Sequence, residues 1–217
     1  MTQHKKSVLI ACECSGAVRE AFAARGFNAW SCDIKPSETP GQHIQGDVLE
    51  IINKGWDLMI AHPPCTYLAV SGAGWFYNKD KSPNVERFIK QAAALEFVKA
   101  LMQAPIERIA VENPISVIST HIRKPDQIIQ PWMFGHPHTK STCLWLKNLP
   151  KLNPTNIVEK GSWKTWVCST TGRVKRQSQW YYDAACKGRT PAERATIRSR
   201  TFQGIADAMA EQWGAVL

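Results

Sequence analysis

Over its first two thirds the chain alternates short apolar runs with longer stretches in which apolar residues return every three or four positions. Ser7 to Cys12 (SVLIAC) is a run of the first kind and reads as a buried strand. Ser15-Gly16 follows, then a helical stretch through Arg25 with Val18 and Phe22 on one face, and Gly26 is suited to stop it. Asn28 to Asp33, Asp57 to Ala61, Arg108 to Glu112 and Thr142 to Leu146 read as further strands. The clearest helix starts near Ser82-Pro83, with Ser as N-cap and Pro at the first helical position. Val85, Ile89, Ala92, Leu95, Val98 and Met102 recur along it at helical spacing, and Pro105 ends it. A closing amphipathic helix carries Phe202, Ile205, Met209 and Trp213. Strands alternating with helices predict an α/β fold with a mostly parallel sheet. Such sheets place their chemistry at the carboxyl ends of the strands. The polar motifs fall there: Glu13 to Gly16, Asp33, His62 to Cys65, and Glu112-Asn113.

At 217 residues the chain predicts a single domain spanning 1–217. Apolar residues at 44% and charged residues at 21% exclude a disordered or fibrous chain. No apolar run approaches the ~18 residues of a membrane span. The start of the chain lacks the pattern of a secretory signal. Seven irregularly spaced cysteines, without a Cys-x-x-Cys pair, speak against a disulfide framework and a structural metal site. The expectation is a reduced, cytoplasmic protein. Charge changes the picture more than composition does. Lys160 to Arg200 holds 10 basic and two acidic residues, leaving 17 basic and 16 acidic elsewhere, so nearly all of the +9 excess sits in one late segment. Residues 148–200 lack the strand–helix alternation and interleave Trp163, Trp166, Trp180, Tyr181 and Tyr182 with Lys and Arg. That mixture suits a polyanion whose bases can stack, that is, nucleic acid.

Three groups of residues carry candidate chemistry. A strand, a turn at Ser15-Gly16, a helix, a strand and then Asp33 resemble half of a nucleotide-binding unit, the acid being placed to meet ribose hydroxyls. Asp47, in Gly46-Asp47-Val48, could receive an adenine amino group. His62-Pro63-Pro64-Cys65 follows a buried strand, and its two prolines can hold Cys65 in one place as a nucleophile. Glu112-Asn113 ends the next strand. A thiolate and a neighbouring carboxylic acid are the pair needed to attack an electron-poor ring, the acid serving the ring nitrogen that takes up charge. Each also has a plainer reading: Asp33 as a strand end, Asp47 as a turn, Cys65 as a small packing residue, Glu112 as an exposed strand-end acid.

Taken in order, these stretches resemble the DNA (cytosine-5)-methyltransferases, in the short form found in phages and prophages. Val8 to Gly16 matches the first cofactor motif, Asp33 the acid that binds the cofactor ribose, and Asp47 the segment that contacts adenine. Asp57 to Cys65 (DLMIAHPPC) resembles the strand and loop of the nucleophile, and Ala110 to Pro114 (AVENP) the Glu-Asn motif. Phe134 to Pro137 with Thr142 to Leu146 resembles the segment behind the active site, and Arg200 to Trp213 the helix that returns to the cofactor. The first motif departs from the family's Gly-rich form, Thr66 follows Cys65, and Gln203-Gly204 replaces the closing Gly-Asn pair. The resemblance implies a Rossmann-like fold, S-adenosylmethionine as cofactor and double-stranded DNA as partner. It implies Cys65, Glu112 and Asn113 in the catalytic site, and Glu13, Ser15, Gly16, Asp33, Asp47, Pro63 and Gly204 around the cofactor. Lys140, Lys160, Lys164, Arg173, Lys175, Arg176 and Arg189 would hold the DNA. The same chemistry on RNA or a cytosine nucleotide, and a non-catalytic nucleic-acid-binding protein on this scaffold, stay open. So does the oligomeric state.

Overall fold

The computed structural model describes residues 5–187 and 190–217. The first helical turn of the chain cannot start at Ser15, because Cys12 and Gly16 both take left-handed backbone angles, with φ of 59° and 77°. β1 (Ser7–Ala11) therefore breaks sharply before α1 (Ala17–Ala23), and β2 (Asn28–Asp33) follows after a left-handed Gly26. Then come β3 (His43–Gln45), β4 (Leu58–Ala61), α2 (Val85–Met102) and β5 (Arg108–Pro114). α3 (Ile118–His121), β6 (Gln127–Ile129) and β7 (Thr142–Lys147) complete the first two thirds. β8 (Trp163–Val167), β9 (Val174–Ser178), α4 (Gln179–Lys187), α5 (Pro191–Ser199) and α6 (Gln203–Gln212) follow.

Seven strands form one sheet in the order β3-β2-β1-β4-β5-β7-β6. β7 runs antiparallel to both of its neighbours, and the other strands share one direction. Val8, Ile10, Leu58, Ile60, Ala110 and Leu144 pack on one face against Phe22 of α1 and Ile205, Met209 and Trp213 at α6. Leu9, Met59, Ile109, Val111 and Trp145 pack on the other against Leu95, Val98 and Leu101 of α2 and the turn at residues 48–52. Strands buried on both faces explain the unbroken apolar runs. This is the Rossmann-like α/β fold expected from the sequence.

Three local expectations change. Helix α2 is capped by Asn84, whose Oδ1 accepts from the Arg87 N–H (3.3 Å), while Ser82 is taken by Asp80. Its apolar face is buried only in the second half, and Val85 and Ile89 stay exposed. Residues 148–200 also contain regular structure: β8 and β9 pair antiparallel, with Trp163 opposite Ser178 and Val167 opposite Val174, α4 packs against them and α5 packs against α4. Among the described residues no helix is long and apolar enough to cross a membrane.

Candidate active site

The parallel register builds the site. Ile60 pairs with Ala110 and Ala61 with Val111, so the next residues out, His62 and Glu112, end side by side on the same sheet face. His62 Nδ1 lies 3.0 Å from Glu112 Oε2, and the two side chains are only 12% and 17% exposed. Burial opposes a charged imidazole, but the hydrogen bond and charge of Glu112 outweigh it, and the His62 pKa lies above 6.5. Burial also opposes the Glu112 carboxylate, and His62 and Lys140 outweigh that penalty, so its pKa falls below the usual carboxylate value. One rung further, Asn113 Nδ2 donates to Pro63 O (2.8 Å) and fastens the Pro-Pro loop to β5. No described protein atom pairs with the buried Asn113 Oδ1 or His62 Nε2.

Cys65 is exposed at the end of that loop. Its carbonyl accepts from Leu68 (3.0 Å) and Ala69 (2.9 Å), which starts the turn that follows. Surrounding protein and the Glu112 charge hold its thiol pKa above the ordinary thiol value, with Lys140 and Arg198 pulling against them. Lys140, a candidate for contact with DNA on the phosphate or the base side, stands inside the site rather than out on the ribbon. It is partly buried beside Glu112 and Cys65, its Nζ donating to Arg198 O (2.9 Å) and lying 5.8 Å from the rings of both Trp180 and Phe202. Burial lowers its pKa, against the pull of Glu112 and Cys65.

On the cofactor side, Glu13 directs both carboxylate oxygens at the start of α1. Val18 and Arg19 N–H donate to Oε1 (2.8 Å) and Oε2 (3.2 Å), and Ser15 Oγ donates to Oε1 (3.2 Å). A carboxylate there completes unpaired helix amides and meets the positive end of the helix. Gly16 permits the turn: a Cβ would lie 2.2 Å from Thr39 Oγ1. Asp33 Oδ1 accepts from Lys35 N–H (2.9 Å) and Asp47 Oδ1 from Leu49 N–H (2.9 Å). The charges of both carboxylates bear on Cys12 at the end of β1. Ile34 is 76% exposed next to Asp33, and Leu49 is exposed next to Asp47. Two carboxylates flanked by bare aliphatic side chains fit the hydroxyls, amine and flat ring of an adenosyl group, and these four residues would hold it.

Gly204 serves packing in this arrangement. It sits in the first turn of α6, its N–H donates to His136 Nε2 (3.0 Å), and a Cβ would lie 1.9 Å from Phe134 O. Gly204→Ala is therefore expected to push α6 off the loop at residues 134–138 and lower the melting temperature by several degrees in circular dichroism. An unchanged melting temperature would show that the loop yields freely.

Lys160, Lys164, Arg173, Lys175 and Arg176 are all exposed on and around the β8–β9 ribbon. Lys160 lies over Trp132, Lys164 over Tyr182 and Arg176 over Trp163. Arg189 lies outside the described residues. Sequence reasoning missed Arg19, Ile34, Leu49 and Arg198, and quoted His62 without a role. The register of two strands ending in polar motifs was the available signal for His62.

No protein-family model and no curated protein sequence matches the chain. Among solved structures it is similar to a protein described as a candidate DNA modification methyltransferase encoded within a prophage of E. coli, at 14% identity and a TM-score of 0.44, over 83% of this chain. It is also similar to the methyltransferase EhMeth of Entamoeba histolytica, at 15% identity and a TM-score of 0.45, over 72% of this chain. The chain spans 64% and 58% of those two structures, less than two thirds of either.

Proposed function

We propose that the protein is an S-adenosylmethionine-dependent methyltransferase that modifies C5 of cytosine in DNA. The carrying observation is an exposed thiol, Cys65, in the loop after β4, held within electrostatic reach of the largely buried acid Glu112 of the adjacent strand β5, with Lys140 and Arg198 acting on the same thiol. Bound S-adenosylmethionine supplies an electrophilic methyl group. Cys65 as thiolate adds to C6 of a cytosine turned out of the duplex. Glu112 meets the ring-nitrogen edge where negative charge builds. Asn113 keeps the Pro-Pro loop in place. C5 takes the methyl group and then gives its proton to solvent; the C–H electron pair re-forms the C5–C6 double bond and Cys65 leaves as thiolate, which restores the aromatic ring.

The β8–β9 ribbon supports duplex DNA over RNA. Its five-residue strands span about 17 Å and lie about 5 Å apart. A ribbon of that size fits the major groove of B-DNA, about 12 Å wide, whereas the deep, narrow major groove of A-form RNA shuts it out. Replacing Arg173, Lys175 and Arg176 together with Ala is expected to flatten the dependence of log affinity on log salt. The slope should fall by about 1 for each phosphate that is no longer neutralised, measured by fluorescence anisotropy on a duplex. An unchanged slope removes the ribbon from the DNA interface.

The functional test is product identity. The protein is incubated with methyl-labelled S-adenosylmethionine and unmethylated duplex DNA, RNA or dCTP, and products are digested and identified by mass spectrometry. 5-Methyl-2′-deoxycytidine from DNA supports the proposal. Label on RNA or dCTP alone moves the substrate, and no label anywhere leaves a binding protein.

A further inference from the structure

We propose that His62 is the positioning residue for Glu112 and holds the proton that Glu112 passes to the ring nitrogen of the target base. This inference rests on the methyltransferase reading above and adds a residue and a proton path to it.

Geometry carries the argument. His62 cannot wander: its N–H donates to Ala11 O (2.9 Å), extending the β1–β4 ladder, and Pro63 behind it restricts its backbone. The register then brings its ring to Glu112 at 3.0 Å in a largely buried setting. The charged groups that bear on the ring are Glu112 from β5, Glu13 from the end of β1 and Lys140 from the loop before β7. A purely structural clasp between β4 and β5 explains the pair poorly. Asn113 already fastens this loop to β5 through Pro63 O. A structural histidine would also be expected to satisfy both ring nitrogens, yet Nε2 is buried without a described protein partner. Among the described residues, the ring's hydrogen bonding is organised around Nδ1 and Glu112.

The proton balance is closed. In the resting pair the proton lies on His62 and Glu112 is a carboxylate, the state favoured by the directions of their two pKa values. As the Cys65 thiolate gives its electron pair to C6, the displaced C5–C6 π pair charges the ring toward its N3 nitrogen. One proton moves from His62 Nδ1 to Glu112 and from Glu112 to that nitrogen. It returns by the same route once C5 has taken the methyl group and the nitrogen no longer carries the charge.

The test compares wild type with His62→Asn, which keeps an N–H donor near the place of Nδ1 and cannot store a proton. Steady-state methyl transfer to DNA is measured from pH 5.5 to 9.5, with melting temperature as a control on folding. The singly protonated pair is required, so wild-type kcat falls as pH rises through the pKa of His62. In His62→Asn the falling limb moves to lower pH by about one unit or more, and kcat at neutral pH drops about 10- to 100-fold, while KM for DNA stays within about twofold. Imidazole ¹⁵N resonances give a readout that needs no turnover. His62 is expected to titrate above 6.5 in wild type and to fall in Glu112→Gln. A kcat and alkaline limb unchanged in His62→Asn overturn the proposal, and so does a His62 ring that is neutral at pH 6. If wild type labels no substrate, the methyltransferase reading fails and the base-directed role with it, while the resonances still report whether the two side chains titrate as a pair.

Discussion

A Cys65→Ala protein is expected to melt like wild type and to bind DNA, yet to transfer methyl groups at least ~10⁴-fold more slowly. The fold survives because the Cys65 side chain is exposed and the loop is held by its carbonyl, which alanine retains. The chemistry fails because no described neighbour can replace the sulfur: His62 and Lys140 are tied to Glu112 and Arg198 O. A duplex carrying 5-fluorocytosine sharpens the result. Fluorine cannot leave C5 as a proton does, so wild type accumulates a covalent protein–DNA adduct with the mass of protein, duplex and one transferred methyl group, and Cys65→Ala accumulates none. Methyl transfer by Cys65→Ala at a tenth of the wild-type rate would end the case for a covalent route.

Arg19→Met is expected to remove about 3 kcal/mol of stability and lower the melting temperature by roughly 6–12 °C. Arg19 is fully buried in α1. Its Nε donates to Glu20 (2.8 Å), Nη1 to the hydroxyls of Ser31 (2.9 Å) and Ser37 (3.0 Å), and Nη2 to Thr39 Oγ1 (2.8 Å), Thr39 O (3.2 Å) and Pro40 O (2.7 Å). Methionine fills the space and donates nothing, so carbonyls and hydroxyls lose partners together. Glu20 is half exposed, which makes the ion pair a minor part of the effect. The loop at residues 34–40 is thereby released, and it follows Asp33 directly. Affinity for S-adenosylmethionine, measured by calorimetry at a temperature where the variant is folded, should fall as well. A variant that melts within about 2 °C of wild type would mean that water replaces the guanidinium without loss.

Strand positions were readable because a parallel sheet buried on both faces writes itself as unbroken apolar runs. Asn28 to Asp33 matches β2 residue for residue. The ends of β4 and β5, with His62 and Glu112 just beyond the paired residues, were placed by the same runs. Arg19 was not, since on a helix next to Glu20 it looks like any solvated charge, and only the fold of the 34–40 loop over it makes it core. Ile34 and Leu49 were hidden too: an exposed aliphatic residue has no pattern of its own in a sequence. The ribbon escaped because Trp-Lys-Thr-Trp-Val does not alternate apolar with polar residues, and both faces stay mostly exposed. With no buried face, hydrophobic periodicity carries no signal.

The segment that carries the ribbon is closed at its base. Near its start, Trp213 Nε1 donates to Pro150 O (2.9 Å), and Asn153 exchanges hydrogen bonds with Gln212. Near its end, Lys140 reaches Arg198 O and Arg200 pairs with Glu38. A loop whose two feet are fixed by the body bears little penalty for changes in its length, about 0.6 kcal/mol for each doubling. Insertions and exchanges in the β8–β9 ribbon, away from Trp180 and Arg198 that pack at Lys140, leave the sheet, Cys65 and Glu112 where they are. The ribbon is thus a cassette that evolution, or an engineer, can rewrite without touching the sheet that carries Cys65 and Glu112.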